Sequence, residues 1–280
     1  MESNRKLIFL DIDGTMLVPG TKEPSALMKQ AVSAARALGH KVFISSGRNV
    51  PMIVDEIKNI GFDGTVSSAG ARIEVDGNVI LDDIMTEKLL QECMDIFDRN
   101  HILYNLEAAD GIYLDHRKEA MMYDELEGEE DQNALEDLKA FSSVGNVRDL
   151  SEYKQSGVYK LSFISKGEAA LIEPMQVLQD RFYFVKHSFL SGGRIYCGEI
   201  YRKGVDKGTA IDRICAHYGL PLADTIAFGD SMNDLQMIQT AGMGIAMGNA
   251  SSQLKTHADM VCKSVEEDGV YYMMKELGII

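Results

Sequence analysis

Two aspartates, Asp11 and Asp13, lie at the carboxyl end of a buried strand that is predicted over residues 7–12. Side chains two residues apart on a strand point to the same side, and two close carboxylates repel each other unless a cation or a proton intervenes. A shared divalent ion would remove this repulsion, and an all-oxygen site suits Mg²⁺, which takes few protein ligands and keeps several waters. For this segment alone an ordinary turn is the alternative, because Asp13-Gly14 is a common turn pair.

Two further clusters carry groups that bind phosphate. Ser46 and Gly47 follow the predicted strand 42–44 and precede a helix predicted over residues 50–60. At such a junction a hydroxyl and a glycine amide bind phosphate oxygens with little steric hindrance. An ordinary helix cap also explains them. Lys207 begins another helix, predicted over residues 207–218. It lies at the unfavourable positive end of the helix dipole, which indicates that it faces an anion. A solvated surface lysine is the alternative, and Lys203 on the preceding loop competes for the same role.

The fourth cluster, residues 229–234, has the sequence Gly-Asp-Ser-Met-Asn-Asp and follows the apolar strand predicted over residues 225–228. A helix cap would explain Asp230 or Ser231 alone, but it does not explain several hydrogen-bonding side chains beside one strand end. In open parallel sheets, ligand sites lie beyond the carboxyl ends of the strands. The four clusters are therefore predicted to surround a single phosphoryl group.

Composition excludes several classes of protein. The chain has 280 residues, of which 45% are hydrophobic and 25% charged, as in one large or two modest globular domains. Its 28 Lys and Arg against 43 Asp and Glu give a net charge of −15, which repels nucleic acid and anionic membranes. The four cysteines form no C-x-x-C pair, and no apolar run approaches the roughly 18 residues that span a bilayer. We expect buried free thiols, no nucleic-acid or membrane partner, and a cytoplasmic location.

The order of predicted elements indicates two domains. Helices and strands alternate over residues 1–82 and again over 191–280, which predicts a Rossmann-like α/β core with a parallel sheet. Residues 83–190 mix helical stretches with alternating strands, which predicts an inserted α+β domain. The strongly acidic stretch at residues 124–137 favours a solvated helix face or loop over a partner surface.

Taken in order, the motifs Asp-Ile-Asp-Gly-Thr, Ser-Gly-Arg, Lys-Gly and Gly-Asp-Ser-Met-Asn-Asp resemble those of the haloacid-dehalogenase-like hydrolases. Within that family the chain resembles the Cof-type phosphatases, which carry a large type-2 cap inserted between the second and third motifs. The segments 246–250 and 267–270 are similar to the Cof-type tail, so that the resemblance covers nearly the whole chain. It implies a Mg²⁺-dependent phosphatase acting on a small phosphorylated metabolite, such as a sugar phosphate or a phosphorylated cofactor.

The resemblance also implies a role for each motif residue. Asp11 would attack phosphorus and become a transient aspartyl phosphate, and Asp13 would act as general acid and then as general base. The implied Mg²⁺ ligands are the carboxylates of Asp11 and Asp230 and the backbone carbonyl of Asp13. The residues implied to bind the phosphoryl oxygens are Ile12, Ser46, Gly47, Lys207 and Asn233, with Asp234 and Arg48 in supporting roles.

The chain departs from the family pattern at two positions. Ser46 stands where many relatives carry threonine, which keeps the hydroxyl, and Ala69 stands where many relatives carry asparagine, which puts any substrate contact made there in doubt.

Two other functions are alternatives to a phosphatase. A phosphomutase would use the same aspartyl phosphate and return the phosphoryl group to a sugar. A non-catalytic sensor of phosphorylated metabolites is the other alternative, although the intact acidic motifs and Lys207 argue against it. The sequence determines neither the physiological substrate nor the oligomeric state.

Overall fold

The computed structural model describes residues 5–128, 132–143, 147–187 and 195–280. The chain folds into two compact units. The first unit comprises Met1–Arg48, Ile53–Asp82 and Gly204–Ile280, and the second comprises Asn49–Met52 and Asp83–Lys203.

The described elements are ten α-helices and fourteen strands, joined by loops and short 3₁₀ turns. The strands are β1 (Leu7–Leu10), β2 (Lys41–Ser45), β3 (Gly64–Ser67), β4 (Arg72–Val75), β5 (Asn78–Asp82), β6 (Leu103–Ala108), β7 (Gly111–Leu114), β8 (Val147–Asp149), β9 (Val158–Lys166), β10 (Phe182–His187), β11 (Ile195–Arg202), β12 (Thr225–Gly229), β13 (Met243–Ala246) and β14 (Met260–Val261). The helices are α1 (Ala26–Ala37), α2 (Asp55–Lys58), α3 (Glu87–Arg99), α4 (His116–Gly128), α5 (Gln132–Ser142), α6 (Ile172–Leu178), α7 (Lys207–Tyr218), α8 (Leu235–Thr240), α9 (Ser252–Lys255) and α10 (Gly269–Glu276).

The first unit is built on an eight-stranded sheet in the order β14-β13-β12-β1-β2-β3-β4-β5. Neighbouring strands run parallel from β14 to β3, and β4 and β5 form an antiparallel hairpin at the other edge. Every residue of β1 is buried, which accounts for its uninterrupted apolar sequence. The predicted α/β fold with a parallel sheet is confirmed, and the carboxyl ends of β1, β2 and β12 meet at one edge.

One predicted helix of the first unit is wrong. Residues 50–60 were expected to form a continuous helix, but they form a 3₁₀ turn, Val50–Met52, followed by the single-turn helix α2. Val54 between them has extended backbone, with φ −68° and ψ 151°. The break arises because residues 49–52 belong to the second unit, whereas Ile57 of α2 is buried in the core of the first.

The second unit is a six-stranded sheet in the order β10-β11-β9-β6-β7-β8. Its neighbouring strands are antiparallel except for β7 and β8. Apolar side chains of α3 and α6 pack on one face, and those of α4 and α5 pack on part of the other. On the acidic stretch, Asp124, Glu125 and Glu127 of α4 are exposed, as expected for a solvated helix face, while residues 129–131 lie outside the described part of the chain.

The second unit ends later than residue 190, where the sequence placed its boundary. Strand β11 pairs with β9 and β10, so residues up to Lys203 belong to the second unit. The four cysteines are buried free thiols. Among the described residues, no helix combines the length and the apolarity needed to cross a membrane.

Candidate active site

A buried lysine joins two buried carboxylates at the carboxyl edge of the first unit's sheet. Lys207 Nζ donates to Asp11 Oδ1 and to Asp234 Oδ1, each over 2.6 Å. The side chains of the three residues are 1%, 6% and 0% exposed, respectively, so solvent does not screen the interaction. Asp11 follows β1, Asp234 follows β12 and Lys207 begins α7, which means that one ammonium group connects three separate segments.

The first turn of α7 is fixed by a capping box. The Asp206 carboxylate accepts from the Thr209 amide over 2.8 Å, and the Thr209 hydroxyl in turn accepts from the Asp206 amide over 3.0 Å. This reciprocal pair holds Lys207 as the first helical residue. The predicted helix over residues 207–218 is confirmed.

Asp230 adds a third carboxylate. Oxygens of Asp11, Asp230 and Asp234 lie within 4.8 Å of one another. Gly14 lies directly against this group, since a Cβ on it would come within 2.2 Å of Asp230 Oδ2. Gly14 also has a φ of +76°, so that both its conformation and the space around it require glycine.

The two oxygens of Asp234 are both engaged within the protein. Oδ1 accepts from Lys207, and Oδ2 accepts from the backbone amides of Asp230 and Ser231 over 3.0 and 3.2 Å. Asp234 is thus suited to hold the 230–234 loop and Lys207 in place. The carboxylates of Asp11 and Asp230 are then the two of the cluster that could hold a metal ion.

The donor set of this cluster fits Mg²⁺. It consists of oxygen atoms alone, the ligand type that Mg²⁺ prefers. When ionised, the three carboxylates carry three negative charges and Lys207 carries one positive charge. One divalent cation would neutralise the remaining two negative charges.

Burial and mutual repulsion shift the pKa values of the cluster. Burial, and then the charge of Asp234, raises the pKa of the Asp230 carboxyl to about 7. The same two causes raise the pKa of Asp11, with Lys207 acting in the opposite direction. Burial alone would lower the pKa of Lys207, but the charges of Asp11 and Asp234 outweigh it and the net pKa is raised. Lys207 is therefore an ammonium ion at neutral pH.

Asp13 is outside the buried cluster and is held by Arg48. Its side chain is 60% exposed, and Arg48 forms a two-pronged ion pair with it, Nη2 to Oδ1 over 2.6 Å and Nε to Oδ2 over 3.0 Å. The Arg48 amide also donates to Ser46 Oγ over 3.2 Å. Asp13, Arg48 and Ser46 thus form one hydrogen-bonded chain beside the cluster.

Two of the other predicted site residues, Ile12 and Asn233, are hydrogen-bonded within their own segments. The Ile12 carbonyl accepts from the amides of Met16 and Leu17 and closes the turn after β1. Asn233 Oδ1 accepts from the Ser231 hydroxyl over 2.7 Å, and Gly47 is partly buried just beyond β2.

Lys203, the competing lysine, belongs to the second unit. The Nζ of Lys203 lies 5.6 Å from the centre of the Tyr183 ring, whereas the Nζ of Lys207 donates to Asp11. Of the two candidate lysines, Lys207 is therefore the one that contacts the carboxylate cluster.

Comparison with known proteins decides the family. The sequence profile of the haloacid dehalogenase-like hydrolases matches residues 8–274. The chain belongs to this family. Phosphatase YwpJ of Bacillus subtilis (strain 168) is 28% identical over 291 residues, covering 97% of this chain and 99% of that protein.

Two solved structures share the fold. BT1666 of Bacteroides thetaiotaomicron, from the phosphatases of this superfamily, has a TM-score of 0.80 at 24% identity and covers 100% of this chain and 97% of its own. The subclass IIB sugar phosphatase BT4131 has a TM-score of 0.76 at 25% identity, covering 98% of this chain and 100% of its own. The predicted family and its Cof-type subgroup are confirmed, and the protein is a hydrolase.

Asn249 supports the site of this hydrolase in a way that the sequence did not predict. Its Nδ2 donates to the Gly14 carbonyl over 2.8 Å, and its Oδ1 accepts from the Val265 amide over 2.9 Å. The side chain therefore ties the Asp13-Gly14 turn to the segment before α10. The motif at residues 246–250 marked this segment as similar to the family tail, but a long-range amide bridge leaves no local pattern in a sequence.

The hydrolase carries a strained turn at residues 68–70. Ser68, Ala69 and Gly70 have φ values of 49°, 56° and 106°, the left-handed region that favours glycine. The amides of Ser68 and Ala69 donate to the carbonyls of Arg48 and Ser46 over 2.8 and 3.0 Å. A Cβ on Gly70 would come within 2.4 Å of the Asp206 carbonyl. The strained turn thus lies between the Ser46 segment and the start of α7.

We expect Mg²⁺ binding to strengthen as pH rises from about 6 to about 8, by up to about tenfold per pH unit for each proton released. The reason is that Asp230, with a pKa of about 7, must lose its proton before it can hold the ion. Titration calorimetry in two buffers of different ionisation enthalpy measures both the affinity and the protons released. Asp55→Asn, at an 85% exposed side chain, is the control and should match the wild type. An affinity that stays constant over this range would contradict the prediction.

We expect Ala69→Gly to raise the free energy of unfolding by about 1 kcal/mol, because an L side chain at left-handed φ costs roughly 1–2 kcal/mol. Ala71→Gly is the matched control, since Ala71 is also buried and has an ordinary φ of −70°. It should lower the free energy of unfolding by about 0.5–1 kcal/mol. Urea denaturation of both variants measures the effect, and a decrease for both would show that the turn is not strained.

Proposed function

We propose that this protein is a Mg²⁺-dependent phosphatase that hydrolyses small phosphomonoesters through an aspartyl-phosphate intermediate. The observation that carries the proposal is the buried contact of Lys207 with Asp11 and Asp234, with Asp230 beside it, at the carboxyl edge of a parallel sheet. A net-negative protein repels phosphate at long range, so its phosphate site needs local cations. Lys207 and a bound divalent ion supply them.

In the proposed reaction Asp11 is the nucleophile. A carboxylate oxygen of Asp11 attacks phosphorus, the ester P–O bond breaks, and the leaving oxygen takes a proton from Asp13. A water molecule then attacks the aspartyl phosphate, gives its proton to Asp13, and releases inorganic phosphate and the Asp11 carboxylate. The exposed position of Asp13 suits this exchange of protons with a leaving group and with water, and Arg48 orients its carboxylate.

The phosphoryl oxygens have several proposed donors. Lys207 carries the positive charge, and the other binding groups are Ile12, Ser46, Gly47 and Asn233. Asp11, Asp230 and the Asp13 carbonyl would hold Mg²⁺. When bound, the ion would neutralise negative charge on the transferring phosphoryl group. Asp234 would keep Lys207 and the 230–234 loop in position, because its oxygens are already hydrogen-bonded.

We further propose that the second unit is a cap that selects the leaving group. The argument is one of chain order, because all of this unit is inserted between Arg48 and Lys207 of the first unit. A cap would exclude bulk water and let its residues choose the substrate. The likeness to a sugar phosphatase supports a sugar phosphate or a similar small metabolite as substrate.

The proposed function is tested by phosphate release from p-nitrophenyl phosphate and from small alkyl phosphomonoesters. We expect turnover with Mg²⁺, none in excess EDTA, and a loss in kcat of about 10⁴-fold or more in Asp11→Asn, because the nucleophile is removed. Asp55→Asn, an exposed aspartate of α2, is the control. Wild-type turnover in folded Asp11→Asn would refute the mechanism, and no phosphate release from any ester would refute the activity.

Asp13→Asn should separate the two proton steps. For alkyl esters we expect kcat/KM to fall by about 10²–10⁴-fold, because a poor leaving group needs a general acid. For p-nitrophenyl phosphate kcat/KM should fall far less, since p-nitrophenolate leaves without a proton. Loss of the general base should also slow hydrolysis of the aspartyl phosphate, so that this intermediate accumulates. Stopped-flow absorbance should then detect a stoichiometric burst of p-nitrophenolate. An equal fall for both esters with no burst would assign Asp13 another role.

A further inference from the structure

A cleft of about 240 Å³ lies within the second unit, between the end of α3 and one face of α4. This α3–α4 cleft has residues 98–103 on one side and residues 118–125 on the other. Protein interiors are close-packed, and voids larger than one water molecule are few. The α3–α4 cleft has room for about eight water molecules at about 30 Å³ each, so it is large enough for a small organic molecule.

The way in which α3 ends creates one side of the cleft. The His101 amide donates to the Asp98 carbonyl over 3.1 Å, and the Ile102 amide donates to the Phe97 carbonyl over 3.0 Å. These two bonds form a Schellman motif, in which His101 has the left-handed φ of 53° that this position requires. The motif turns the chain from α3 into β6, so that Asp98 of the last helical turn and Leu103 of the strand line the same cleft.

The other side of the cleft is one face of α4. Its lining residues Lys118, Met121, Met122 and Glu125 are spaced three and four residues apart, which places them on the same side of the helix. Met122 is buried in one apolar cluster with Leu103, whereas Met121 is 64% exposed. A flexible, exposed methionine adapts its shape to an apolar ligand.

The lining of the α3–α4 cleft is apolar inside and charged at its rim. Leu103 and Met122 are buried. The side chains of Asp98, Lys118 and Glu125 all keep a substantial part of their surface in solvent. Small-molecule sites have this composition, a mostly apolar lining with a few polar groups that orient the ligand.

The charged groups of the rim form two partly exposed ion pairs. Lys118 is paired with Asp98, and its Nζ lies 5.2 Å from the centre of the Tyr104 ring. Glu125 Oε2 accepts from Lys166 Nζ over 3.1 Å. Ion pairs of this kind contribute little to stability, because water and salt screen them. A ligand can therefore exchange its own charges for these contacts at little cost.

The charges of the lining define the complementary ligand. Among the described residues that line the cleft, the carboxylates of Asp98 and Glu125 stand beside the one ammonium group of Lys118, while Lys166 approaches Glu125 from outside the lining. Such a lining attracts an ammonium group and repels a lone anion. Because Lys118 and Asp98 are in contact, it also suits a ligand whose own opposite charges are adjacent. A complementary molecule thus carries an ammonium group, a carboxylate next to it and a short apolar chain.

We infer that the α3–α4 cleft is a binding site for a free α-amino acid with an apolar side chain of about the size of leucine. The ammonium group of the ligand faces the carboxylates of the rim, and its carboxylate faces Lys118. Its side chain lies against Leu103, Met121 and Met122. This inference does not rest on the phosphatase activity proposed above.

The first experiment compares L-leucine with isopentylamine, which lacks the carboxylate, and with 4-methylpentanoate, which lacks the ammonium group. NMR of the whole protein labelled with ¹³C at its methionine methyls observes binding, and Met121→Leu and Met122→Leu assign the two signals of the cleft. We expect these two signals to shift with a Kd of about 1 mM or below for L-leucine, and at least about tenfold higher for the other two, with 4-methylpentanoate the weakest. Met175 of α6, which packs in the other apolar cluster of this unit, should not shift.

The second experiment uses Lys118→Met, which removes the ammonium group and keeps an apolar stem. We expect the affinity for L-leucine to fall by about tenfold and that for isopentylamine to stay equal or rise, because only L-leucine has a carboxylate to lose its partner. A structural role for Lys118 would instead weaken the binding of both ligands.

A third variant, Met121→Lys, places a second cation at the exposed edge of the cleft and should abolish the binding of L-leucine. Val177→Lys is the matched control, since Val177 is an exposed apolar residue of α6 outside the cleft lining. It should bind L-leucine as the wild type does, and both variants should keep the wild-type Tm.

The ranking of the three ligands and the position of the shifted signals decide the outcome. The inference would be overturned if neither Met121 nor Met122 shifted with L-leucine up to about 10 mM, ten times the expected Kd. Shifts confined to other methionines, or isopentylamine binding as tightly as L-leucine, would overturn it as well. Saturable shifts at both residues that weaken on loss of either charged group of the ligand would support it.

Discussion

The first unit depends on one interaction, the buried ammonium of Lys207 between the carboxylates of Asp11 and Asp234. A charge that cannot reach water must be paired, so any arrangement that separated these groups would leave an uncompensated ion in the interior. The requirement fixes the ends of β1 and β12 and the start of α7 relative to one another. The surrounding devices serve the same end: the capping box at Asp206, the missing side chain of Gly14 and the amide bridge of Asn249.

The sequence predicted those parts of the site that are encoded locally. Asp11, Ser46 and Asp230 each follow an apolar strand, and in a parallel sheet that position alone brings them to one edge. Lys207 was ambiguous by itself, because an exposed lysine and a buried one have the same local sequence. Only the partners of Lys207, distant along the chain, distinguish the two cases.

Features that depend on long-range packing were not predictable. Strand β11 has a sequence that fits either sheet, so the sequence does not reveal which sheet this strand joins. The end of the inserted domain was therefore predicted before β11, whereas it lies after β11. The sequence also gives no sign of the left-handed backbone at Ala69, because alanine usually avoids that conformation. The sequence also did not reveal the buried ion pairs of Lys160 with Glu107 and Glu199, because these residues come from three strands and meet only once the strand register is set.

The division of the chain also has a consequence for biosynthesis. The central strand β1 pairs with β12, whose residues leave the ribosome only after the whole of Asp83–Lys203 has been made. Asp11 and Lys207 are separated by 196 residues, so nascent Asp11 has no ammonium partner until Lys207 has been synthesised. The second unit, nearly continuous in sequence, is free to fold first, while the half-finished sheet of the first unit keeps an open edge at β1. The buried cluster thus assembles only after Asp83–Lys203 and β12 have been made, and during that interval β1 is the segment that most needs protection from aggregation.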